Sequence, residues 1–110
     1  MTDLTGRHLI DGNWIDADST FTSSPLTGPS LTVAEGTAAH VDQAADACFA
    51  TLGPMSATRH AKLLRAIAVE IDRVADVITA HGTAETGLPE ARLIGERGRT
   101  TGHAPLSGLH

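Results

Sequence analysis

Leu64, Ile67, Ile71, Val74 and Ile78 recur at spacings of 3, 4, 3 and 4, a rhythm that lines one face of a helix and that no strand satisfies. The run carrying them, from Ser56 to Ala84, is long for a globular helix, so a break is expected near Asp72–Ala75. Ser56 is placed to cap its start, and Gly82 and Gly87 punctuate its end. Upstream, Val41, Ala45, Cys48 and Leu52 repeat the rhythm behind Thr37 as cap, and Gly53-Pro54 stops that helix. Pro89 suits the first turn of a further helix through Ala91, Leu93 and Ile94, which Gly95, Gly98 and Gly102 progressively weaken. The heptad-like spacing does not persist long enough for a coiled coil, so packing on the parent domain is the reading preferred.

Before residue 37 the period is different. His8-Leu9-Ile10 and Trp14-Ile15 flank Asp11-Gly12-Asn13, whose residues tolerate the positive φ of a tight hairpin turn. Thr20-Phe21-Thr22 and Leu31-Thr32-Val33-Ala34 are two more strand candidates, parted by the turn Pro25-Leu26-Thr27-Gly28-Pro29. The expected fold class is therefore α/β, with short antiparallel strands or a hairpin followed by three or four packed helices. Strands and turns occupy 1–36 and helices 37–102. The tail 103–110 has neither periodicity nor a cap and is expected to be disordered.

A chain of 110 residues has room for one small domain. Its only aromatic residues are Trp14, Phe21 and Phe49, which leaves a thin aliphatic core. Chains of this size hide roughly 60–70% of their surface on folding, so marginal stability in isolation is predicted. Thirteen acids against eight bases give a net charge of -5, the wrong sign for a nucleic-acid partner. No run of 18 apolar residues exists, so no membrane span is expected. Met1-Thr2-Asp3-Leu4 lacks the basic and apolar regions of a secretory signal. The single cysteine excludes an internal disulfide and a multi-cysteine zinc site, and fits a reducing, cytoplasmic setting.

The residues that carry chemistry elsewhere assemble nothing here. Cys48 lies on the apolar stripe of its helix, late in the helix where the dipole disfavours a thiolate, so it is expected to be buried and structural. His8, His40, His60, His81, His103 and His110 form no local metal motif, and solvated or capping roles are expected of them. Gly95, Gly98 and Gly102 do not reproduce a dinucleotide or phosphate loop. Arg92, Arg97 and Arg99, beside Glu90 and Glu96, read as a solvated helix face. Glu35, Glu70 and Glu85 are isolated carboxylates with no partner visible in the sequence. No catalytic, cofactor-binding or metal-ligating residue is nominated.

Five motifs in order resemble the N-terminal region of the NAD(P)-dependent aldehyde dehydrogenase superfamily. They are Leu9-Ile10-Asp11-Gly12-Asn13-Trp14, the turn Ser24-Pro25-Leu26-Thr27-Gly28, the helix from Val41 to Phe49, Arg59 with Leu63-Leu64-Arg65 and Ile67-Ala68, and Glu85-Thr86-Gly87-Leu88-Pro89. Ser24 stands where the family has asparagine, and Leu88 where it has lysine. Gly87 to Leu93, with Gly95 to Gly102, is most similar to the branch acting on 2,5-dioxopentanoate.

The resemblance implies a fold incomplete without the rest of the subunit, and an activity that oxidises an aldehyde to a carboxylate with NAD or NADP. The family's cysteine nucleophile, which forms a thiohemiacetal, its glutamate base and its dinucleotide-binding unit all lie beyond the matched region. Cys48 aligns with a helix-core position and inherits no nucleophilic role. The likeness stops after Gly102, where His103-Ala104-Pro105 departs from the family, so a frameshift or premature stop is expected. The partner implied is the remainder of the subunit, with self-association through Leu64, Ile67, Ile71, Val74 and Ile78 in its absence. No cofactor is expected on this fragment itself. Two other readings stay open: a small helical interaction module, or one half of a split dehydrogenase.

Overall fold

The computed structural model describes residues 4–107. The element order is β1 His8–Ile10, β2 Asn13–Ile15, β3 Thr20–Thr22, β4 Thr32–Ala34, then α1 Ala38–Leu52, α2 Ala57–Arg73, α3 Ala75–Thr86 and α4 Glu90–Ser107. Strands precede helices, in the α/β mix that the change of period at residue 37 predicts. Contacts divide the chain into two compact units, not the one expected from its length. The first comprises 1–24 and 29–54, the second 25–28 and 55–110. Helix α1 therefore groups with the strands, so the division does not follow the change of period.

In the first unit, β1 pairs antiparallel with β2 in the register Leu9 opposite Trp14 and Ile10 opposite Asn13. That register leaves Asp11 and Gly12 as a two-residue turn, at φ 52° and 75°. Positive φ at both positions is the twist a right-handed hairpin needs, and glycine adopts it without a Cβ clash. β3 pairs antiparallel with β4, Phe21 opposite Val33. The Ser23 amide donates to the Leu31 carbonyl at 2.8 Å, and the Leu31 amide to Ser23 Oγ at 2.9 Å, which closes the base of the intervening loop. Ile10 and Ala34 are the buried apolar residues of this unit.

Thr37 caps α1. Its Oγ1 accepts the His40 amide at 3.3 Å while its own amide donates to His40 Nδ1 at 3.1 Å, a reciprocal box with histidine in the place usual for glutamate or glutamine. The stripe expected to bury does not. Val41 is 67% exposed, Cys48 is exposed, and no residue of α1 is buried. A three-residue strand is too short to cover a 15-residue helix. Where β1 meets α1, Ala44, Ala47, Cys48, Thr51 and Leu52 line an open pocket with Leu9 and Ile10, and Cys48 stays exposed there.

The second unit is helical. Ser56 Oγ accepts the Arg59 amide at 3.3 Å and opens α2. The long run then breaks at Val74, inside the interval expected, with φ −104° and ψ 20° serving as both the end of α2 and the start of α3. Asp76 in the first turn of α3 complements the new helix dipole. Helix α4 packs on α2 and α3. The most buried α2 residues are Ala61 and Ala68, two turns apart on one face, where small side chains admit a close neighbour.

Helix α4 runs to Ser107, past the expected end at Gly102. The tail assigned as disordered is thus helical in backbone through Ser107. Once a helix is nucleated each added residue closes another hydrogen bond, which offsets the roughly 1 kcal/mol that a glycine costs. Residues 1–3 and 108–110, and with them the expectations placed on the extreme ends, lie outside the described residues, as do the side chains of 103–107.

Candidate functional site

The second unit presents an open apolar face along α2. Leu63, Ala66, Ile67, Ile71 and Val74 line a groove of about 490 Å³. Ile67 is 43% exposed and Ile78, further along on α3, is 44% exposed, while Leu64, Ile71 and Val74 are half-buried. The buried residues of α2 are Ala61 and Ala68, neither of which lines the groove, and α4 packs on the same helix. At the rim, Arg73 Nε donates to Glu70 Oε2 at 2.7 Å, so the two charges beside the groove neutralise each other. An apolar surface with a self-neutralised rim is suited to an apolar partner rather than a charged ligand.

Two turns that the sequence separates widely come together in the same unit. The Leu26 and Thr27 amides both donate to the Ala84 carbonyl, at 2.9 and 3.3 Å. Gly87 ends α3 in the left-handed conformation at φ 72°, its amide bonded to the Thr83 carbonyl at 2.9 Å. The Leu26 side chain lies so close over Gly87 that a Cβ there would come to 2.3 Å from Leu26 Cδ1. The turns at 25–28 and 85–89 are therefore one structural feature, which their separate reading in the sequence did not indicate.

Cys48 is exposed, contrary to the buried role expected, because β1 covers too little of α1. His40, for which a solvated or capping role is expected, closes the Thr37 capping box of α1, and the His8 ring lies beside it with centroids 4.6 Å apart, a pairing of residues remote in sequence. His8 Nε2 lies 3.3 Å from the Glu35 carbonyl oxygen. His81 is exposed on α3 and His60 half-buried on α2.

Of the arginine cluster, Arg92 pairs with Glu96 at 3.1 Å on an exposed face, as expected. Arg97 does not. Its side chain is only 21% exposed and it reaches Thr79 and Asp72 on the neighbouring helices. Glu70 pairs with Arg73 and so is not isolated. The one sequence signal for these two contacts was spacing, i to i+3 for Glu70 and Arg73; nothing local marked Arg97.

Among the described residues, no group of three or more histidine, cysteine, aspartate or glutamate side chains is placed to hold a metal. Gly95, Gly98 and Gly102 lie within α4, not at a strand-to-helix turn, and so do not fit the pyrophosphate of a dinucleotide. No described helix is long and apolar enough to cross a membrane.

Comparison with known proteins adds a likeness. The chain has weak homology to enzymes of the aldehyde dehydrogenase family over a short region of those proteins. Over 113 aligned positions covering 96% of this chain it is 32% identical to an alpha-ketoglutaric semialdehyde dehydrogenase of Acinetobacter baylyi. A 46-residue stretch, 42% of the chain, is 54% identical to alpha-ketoglutaric semialdehyde dehydrogenase 2 of Azospirillum brasilense. The matches span 22% and 9% of the lengths of those two relatives. No family model matches the chain.

Proposed function

We propose that this chain is an N-terminal docking segment of an aldehyde dehydrogenase subunit of the α-ketoglutaric semialdehyde type. It supplies packed strands and helices, and the reactive groups belong to residues outside it. The parent reaction in this reading is the oxidation of 2,5-dioxopentanoate to 2-oxoglutarate with NAD or NADP, in the cytoplasm. The partner is the remainder of the subunit, seated on the apolar face that includes Leu64, Ile67, Ile71, Val74 and Ile78. Copies of the chain associate through that face when the partner is missing. The observation that supports the reading is the open groove on α2 in a chain that aligns along almost its whole length with such a dehydrogenase.

A graft tests it. The matched segment of the Acinetobacter baylyi enzyme is replaced by this chain, and assembly and aldehyde-dependent NAD(P)H formation are measured. A folded, active chimera is expected. A chimera that fails to assemble, beside a parent that does, counts against the reading. Aldehyde oxidation by the isolated chain overturns it outright.

A further inference from the structure

We draw no further inference here: the strongest candidate, the adjoining His8 and His40 rings where β1 meets the first turn of α1, directs its placed nitrogens at the Glu35 carbonyl and the Thr37 cap, and nothing in the structure shows an ion or partner that the pair would serve.

Discussion

Arg97 Nη1 on α4 donates a 3.2 Å hydrogen bond to Thr79 Oγ1 on α3, and Thr79 is only 5% exposed. The same guanidinium lies 3.7 Å from Asp72 Oδ1 at the end of α2, but the Asp72 side chain is 58% exposed. The two contacts differ in worth. A charged donor to a buried hydroxyl contributes about 1.5–3 kcal/mol, whereas a solvent-screened ion pair contributes about 0–1 kcal/mol. Arg97→Ala is therefore expected to lower stability by about 1.5–3 kcal/mol and Asp72→Asn by less than about 1 kcal/mol. Urea unfolding followed by circular dichroism checks this. Equal losses in the two variants would transfer the role to the ion pair.

Gly87 is expected to resist any side chain, for two separable reasons. Its φ of 72° places an L-residue in the left-handed region, at a cost of roughly 1–2 kcal/mol. A Cβ would also meet Leu26 Cδ1 at 2.3 Å. Leu26 is 69% exposed, so Leu26→Ala alone should cost little. Gly87→Ala should then be less destabilising in the Leu26→Ala background than in the wild type, because only the backbone penalty remains. A double-mutant cycle on urea midpoints measures the difference. Strict additivity would mean that the two turns do not touch in solution.

The local chemistry of the chain was legible in its sequence. Thr37 and Ser56 cap the helices assigned to them, Asp11-Gly12 makes the hairpin, and the long apolar run breaks at Val74. Each of these depends on residues within a few positions of one another. What could not be read depends on which surfaces meet. The α1 stripe of Val41, Ala45 and Cys48 has the right period for a core, but period says nothing of whether a covering surface exists, and β1 is too short to provide one. The residues of α2 that bury are the small Ala61 and Ala68, not the larger apolar residues of the stripe. Arg97 sits among residues typical of a wet surface, and only the placement of α3 and α2 turns it inward.

The Thr37–His40 box makes a prediction about coupling. Thr37→Ala is expected to cost about 1 kcal/mol, as for other lost caps. His40→Ala removes the return bond from the Thr37 amide and the neighbour of the His8 ring. Since both variants open the same cap, the double variant should lose less than the sum of the two. Helical content and urea midpoints of the three variants report this, and full additivity would show that His40 acts apart from the cap.

Two adjacent residues of α2 separate docking from folding. Ile67 is 43% exposed on the open groove, and Ala68, one position on, is only 6% exposed. A glutamate at 67 places its charge in water and removes apolar surface from the groove. Ile67→Glu is therefore expected to leave helical content within error of the wild type while weakening association of the chain with itself, seen as a smaller weight-average mass in sedimentation equilibrium. A glutamate at 68 must enter a buried position without a partner, which costs several kcal/mol for a buried charge. Ala68→Glu should therefore unfold the second unit at any concentration. Loss of structure in Ile67→Glu, or an undiminished mass, would mean that the groove is not the surface through which copies meet.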